Sequence, residues 1–261
     1  MNLVPPESVT LGPFTIYFYS LFILLGLGLG YLLAKPEARR LRIPFDVLRL
    51  SIFYGLLPGI AGARLYHVLD RLDYYAGQPA QVFALWNGGL AILGGLAGGL
   101  LGLWWFARRR RIRLLRLLDA WAPSVLLAQA IGRFGNWTNQ EAFGPPTDAP
   151  WGAFIEPAHR PAEHAAATHF HPTFFYEAGL NLLGLVLLLA LRPRLRRKPG
   201  AVLGAYLVIY AAGRFATEFF RFDTATIGGV SVAHVAAIGL AATGIWLLAR
   251  PGSLRTHPSS R

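Results

Sequence analysis

The sequence predicts an all-α integral membrane protein of seven transmembrane helices, with its N-terminus outside, its C-terminus in the cytoplasm and a cap or arm on the outer face. Three observations predict it. The 261 residues are 54% hydrophobic and only 15% charged, too little charge for the surface of a soluble domain of this length. Apolar stretches of near-membrane length recur seven times, and bursts of arginine fall in alternate connections between them. The chain has no cysteine, which removes disulfides, thiolate nucleophiles and Cys-ligated metals. The formal net charge is +12, but the basic residues lie between apolar runs and not along one face, so nucleic acid is not expected as a partner.

The expected helices run at about 14–34, 47–69, 89–107, 119–134, 174–192, 201–220 and 230–249, within a single polytopic domain of residues 1–261. The first follows "MNLVPPESVTLGPF", which has no Lys or Arg. It lacks the basic start of a cleaved signal peptide, so this helix is expected to be retained. The second carries Arg49 and Arg64. The third repeats glycine at 94, 98 and 102 and at 95 and 99, the small-xxx-small spacing of closely packed membrane helices. The fourth is short and ends in "GRFGNWTNQEAFG" (132–144). The fifth opens in "FHPTFFYEAGLN" (170–181), the sixth ends in "YAAGRFATEFFRFD" (210–223) and the seventh opens in "GGVSVAH" (228–234). Basic segments at 35–42, 108–116 and 192–200, with Arg250, Arg255 and Arg261 in the tail, mark the cytoplasmic side. The 135–172 connection then forms the outer-face arm.

Arginines inside apolar spans cost about 2.5–3.5 kcal/mol each on insertion scales, so each needs compensation. Arg49 can snorkel to headgroups. Arg64 can bind an anion or pair with Asp70 or Asp73. Tyr210, Arg214, Glu218 and Arg221 share one helical face, so Glu218 can hold Arg214 either for packing or to meet an anion. Around Arg133, the side chains of Asn136, Asn139, Gln140 and Glu141 supply more hydrogen-bonding groups than a helix cap needs. Two guanidiniums around one site are the reading favoured here. His159, His164, His169 and His171 lack the spacing of a helical metal pair, and no metal is expected.

The chain resembles the bacterial phosphatidylglycerol–prolipoprotein diacylglyceryl transferases over nearly its whole length. "GRFGNWTNQEAFG" is similar to that family's G-R-x-G-N-[FW]-x-N-x-E-x-x-G signature. "IYFYSL" (16–21), "GARL" (62–65), "NGGLAILGGLAGG" (87–99), "HPTFFYE" (171–177), "YAAGRFATEFFR" (210–221) and "GGVSVAH" resemble its other motifs in order. The resemblance implies transfer of the diacylglyceryl group of phosphatidylglycerol to the lipobox cysteine of a prolipoprotein signal peptide, within the bacterial inner membrane and without a cofactor. It implies that Arg133, Arg214, Tyr19 and His171 are catalytic. It further implies that Arg64, Arg133, Asn136, Asn139, Glu141, Gly144 and Tyr210 bind the lipid, and that Glu177 and Glu218 orient the arginines. Leu93 stands where many members carry histidine and His234 where they carry glutamine, so the thiol's base is left open, with His171 and Tyr210 as candidates. The alternatives are a paralogue with another donor or acceptor and, more distantly, a transporter of anionic substrates. No paired, interrupted half-repeats are visible for a transporter. A retinal-type photoreceptor is excluded because the only lysines, Lys35 and Lys198, lie in connections.

Overall fold

The computed structural model describes residues 4–195, 198–221 and 226–251. Arg196, Arg197, Arg255 and Arg261 of the expected cytoplasmic segments lie outside the described residues. Eight α-helices dominate them: α1 (Phe18–Arg40), α2 (Phe45–Asp70), the short α3 (Leu72–Gly77), α4 (Ile92–Arg109), α5 (Leu114–Thr138), α6 (Thr173–Leu195), α7 (Ala201–Glu218) and α8 (Val232–Ala249). Three two-stranded antiparallel hairpins join them: β1 (Ser8–Leu11) with β2 (Phe14–Tyr17), β3 (Ala153–Phe154) with β4 (His169–Phe170), and β5 (Thr226–Ile227) with β6 (Val230–Ser231).

Five helices, α1, α2, α5, α6 and α8, are long and apolar enough to cross a membrane. The chain is a multi-pass membrane protein. The other two expected spans, α4 and α7, are 18 residues each and carry charge: Arg108 and Arg109 close α4, while Arg214 and Glu218 sit in α7.

Three expected boundaries need correction, the first being that α1 runs past 34 to Arg40, so residues 35–40 of the expected connection, Lys35 among them, are helical. Residues 14–17 begin the first apolar stretch as a strand, because Val9, Thr10, Thr15 and Ile16 are β-branched and Gly12 turns the chain with φ 62°. Helix α5 extends past 134 to Thr138, so the first four residues of the expected arm are helical. There the chain turns at Gln140, in the left-handed region at φ 50°, and Glu141 N–H donates to Asn136 O at 3.0 Å. This closes a Schellman-like end without glycine.

The described residues cluster into two compact units, one within 1–34 and 118–261, the other within 35–117. In the second, α2 and α4 meet along glycines: a β-carbon at Gly62 would run into the backbone of Gly94, and one at Gly98 into Pro58. No side chain separates the two backbones there, which is how membrane helices gain van der Waals contact. In the first unit, Ala122, Leu126, Leu185, Leu188, Val202 and Ala205 form a buried cluster joining α5, α6 and α7. Buried Asp119 of α5 accepts N–H bonds from Gly200 at 2.6 Å and Leu203 at 2.8 Å. A carboxylate thereby caps the N-terminus of α7 and satisfies donors no helix can satisfy itself. Phe143, Ala153, Ile155, Phe170 and Phe174 form a second core that holds the 139–172 segment onto α6.

Candidate active site: arginines gathered on Glu177

Glu177 is 6% exposed and lies on the buried stripe of α6. Its carboxylate receives three arginines from different places in the sequence. Arg133 of α5 pairs with Oε2, Arg214 of α7 approaches Oε1 at 3.7 Å, and Arg221 just beyond α7 approaches Oε1 at 3.4 Å. Arg214 pairs also with Glu218 one turn on, at 2.7 Å. Ser231 Oγ donates to the other oxygen of Glu218 and caps α8 through the N–H groups of Ala233 and His234. Three guanidiniums therefore face two buried carboxylates. Arg214 Nη1 is the atom 3.7 Å from Glu177 Oε1, beyond hydrogen-bond reach, and it has no nearer acceptor among the described residues; buried donors left unmet are rare.

Arg133 is also held from its own helix. Its Nη1 donates to Asn136 Oδ1 at 3.0 Å, and Asn136 Nδ2 donates to Glu141 Oε1 at 2.9 Å. Asn139 reaches the same oxygen at 3.5 Å. Glu141 thus acts on Arg133 at one remove, through an amide. It can do so because the left-handed Gln140 folds the chain back. The Gln140 side chain is buried and accepts the Glu156 N–H at 2.7 Å, which offsets the strain of that conformation.

The remaining expected residues fall as follows. Tyr19 packs its ring on Gly135, where a β-carbon would collide with it. Gly144 donates to His171 O at 2.8 Å, and a β-carbon there would strike Phe220 O and crowd Thr173 and His171. Its contribution is close approach. His171 Nδ1 lies 3.0 Å from the Tyr176 hydroxyl, which accepts a 2.9 Å bond from Trp151 Nε1–H. An indole only donates. With the Tyr176 proton directed at Nδ1, a neutral His171 carries its own proton on Nε2 and offers a donor there. Tyr210 stacks on Tyr206 with ring centroids 6.0 Å apart and lines a small cleft that also contains Glu177, Asn181 and Arg214.

Arg64 belongs to the other unit and is saturated. Its five N–H donors go to the backbone carbonyls of Gln81, Val82, Ala84, Gly88 and Gly89. No donor remains for a lipid phosphate, and neither Asp70 nor Asp73 is among its partners. Leu93, in the first turn of α4, is 59% exposed. Of the loop histidines, His159 contacts Glu7 at 3.0 Å and His169 contacts Thr168 at 2.9 Å.

Sequence reasoning placed Arg221 on the face of Arg214 and Glu218 without making it a site residue. Its convergence on Glu177 was legible only as that helical spacing. Asn181, four residues after Glu177, was missed although the i, i+4 step put it on the same stripe.

Three arginines gathered on two buried carboxylates thus sit within a multi-pass membrane protein. Residues 6–250 match the model of the prolipoprotein diacylglyceryl transferase family. A Gloeobacter violaceus protein named phosphatidylglycerol–prolipoprotein diacylglyceryl transferase is 41% identical, with 97% of this chain and 96% of that protein covered. Proteins of the same name from Synechococcus elongatus (40%; 92% and 85% covered) and Halalkalibacterium halodurans (39%; 95% and 87%) are similar over comparable spans. The chain belongs to the prolipoprotein diacylglyceryl transferase family.

Proposed function

We propose that this chain transfers the diacylglyceryl group of phosphatidylglycerol to the lipobox cysteine of prolipoproteins, the first step of lipoprotein maturation. The thiolate sulfur attacks the glycerol carbon that carries the phosphate. The carbon–oxygen bond breaks, glycerol 1-phosphate leaves with the electron pair, and a thioether remains. Negative charge gathers on the departing phosphate, where fixed cations act most strongly in a site shielded from water. The observation that carries this reading is the gathering of Arg133, Arg214 and Arg221 on Glu177, with Arg214 Nη1 unmet. Guanidinium suits the task because it grips phosphate oxygens two at a time and stays charged in apolar surroundings. The names of the relatives favour this reaction over a different donor or a transport role.

The thiol needs little help to ionise. A few per cent of a free cysteine is thiolate at pH 7, and neighbouring guanidiniums lower its pKa further. Leu93 in place of histidine is then tolerable, and His171 serves as donor to the lipid. Seven spans in the bacterial inner membrane complete the picture, with α4 and α7 supported laterally by α2 and α8, and the 139–172 segment outside as an arm. The basic segments 35–42 and 108–116 support that orientation. The decisive experiment incubates purified protein with labelled phosphatidylglycerol and a lipobox peptide. A lipid-linked peptide and an equal amount of glycerol phosphate are expected. Neither product forming would overturn the reading. Single cysteines at 110 and 160 in this cysteine-free chain test orientation, and external labelling at 110 with protection at 160 would reverse it.

A further inference from the structure

Asn181 takes no part in the arginine network. It is 7% exposed on the buried stripe of α6, and its amide has no hydrogen-bond partner among the described residues. Its amide is not sealed inside the bundle but opens onto a cleft, where a polar group without a protein partner is available to a ligand. Asn181 lines the cleft that holds Arg214, and the walls around it are Leu126, Leu180 and Ile209. Tyr210, whose hydroxyl also lacks a protein partner among the described residues, completes the lining.

The vertical order of these groups is informative. Asn181 lies one turn from Glu177 along α6, and Tyr210 one turn from Arg214 along α7, a step of about 5.4 Å. Both steps run toward the middle of their helices. The cleft therefore passes from guanidinium, to amide and hydroxyl, to hydrocarbon. A glycerophospholipid has the same order: phosphate, acyl-ester carbonyls, acyl chains. Its headgroup glycerol lies on the opposite side of the phosphate. We infer that Asn181 Nδ2–H, with the Tyr210 hydroxyl, donates to an acyl-ester carbonyl of the lipid donor. This subsite holds the attacked carbon between that carbonyl and the arginines, and makes the enzyme selective for ester-linked lipid. The inference rests on the reading that the arginine cluster holds the lipid phosphate.

The test compares diester phosphatidylglycerol with its diether counterpart, which lacks both carbonyls, on the purified full-length protein. Transfer to a lipobox peptide and equilibrium binding of short-chain versions are both measured. The wild type should favour the diester about tenfold in KM and in binding, the worth of one net hydrogen bond. Asn181→Leu should weaken the diester about tenfold, leave the diether unchanged and keep kcat. Thermal unfolding should show this variant close to its parent, because the amide it removes makes no hydrogen bond among the described residues. Three results overturn the subsite: no ester preference in the wild type, equal weakening of both lipids by Asn181→Leu, or a loss that follows removal of a headgroup hydroxyl instead. The wild-type comparison needs no variant to fold. Binding without transfer would overturn the transferase reading while leaving the subsite test legible, and binding of neither lipid would overturn both.

Discussion

Arg64 and Arg214 are both arginines in apolar helices, and the protein treats them in opposite ways. Arg64, 6% exposed, gives all five donors to carbonyls of the 81–89 turn region. Arg214 is held by two carboxylates and keeps one nitrogen unbonded beside a cleft. Carbonyls neutralise no charge but saturate every N–H, which suits a cation that fastens a loop. Carboxylates aim a guanidinium while leaving part of it available, which suits one that meets a ligand. Helix position and apolar context do not distinguish the two residues; their partners do.

The largest effect expected from this contrast is on catalysis. Arg133→Ala and Arg214→Ala should each lower transfer by about 10²–10³, the loss of one charge-stabilising donor, with membrane insertion retained. Lysine should rescue poorly, since it lacks the planar fork. Parental turnover in either alanine variant would make these arginines as structural as Arg64.

Arg64→Lys should fail differently. Three ammonium donors cannot serve five carbonyls, and each buried carbonyl left alone costs about 1–3 kcal/mol. A lower unfolding temperature in detergent is expected, with specific activity of the folded fraction nearly unchanged. An intact unfolding temperature with a raised KM for lipid would erase the contrast.

Glu177→Gln sharpens it further. The substitution keeps shape but frees three guanidiniums from their shared anchor and adds one positive charge. Lipid binding should hold or tighten while kcat falls by roughly tenfold or more, since orientation and not affinity is lost. Parallel loss of binding and kcat would argue that Glu177 contacts the lipid itself.

The smallest effect is expected at Leu93. Leu93→Ala should stay within roughly tenfold of the parent, and Leu93→His should move the pH–rate profile downward without being required. A parent inert at every pH and switched on only by Leu93→His would overturn the self-ionising thiol.

The contrast also explains what the sequence could reveal. Arg133, Asn136 and the Arg214–Glu218 pair were legible because side chains three and four apart on a helix share a face. The glycines of α4 were legible for the same reason, though their partners on α2 were not. Arg64's role was illegible, since bonds to backbone carbonyls leave no mark on residue type. The left-handed Gln140 was equally hidden, because glycine is the usual signal for that conformation. Strand β2 was read as the start of a helix because a four-residue apolar strand and an apolar helix end look alike over so short a window.

Asp119 has a consequence for how this family can change length. It pins the start of α7 to α5, and from Asp119 to Arg133 along one helix is the same fourteen residues as from Gly200 to Arg214 along the other. The two helices are rulers zeroed at a common mark, each reading about 21 Å to its guanidinium. A residue inserted in only one ruler would shift its arginine about 1.5 Å and swing it about 100° around the axis. Relatives that have gained or lost a residue between these marks should therefore have done so in both rulers together, or in neither.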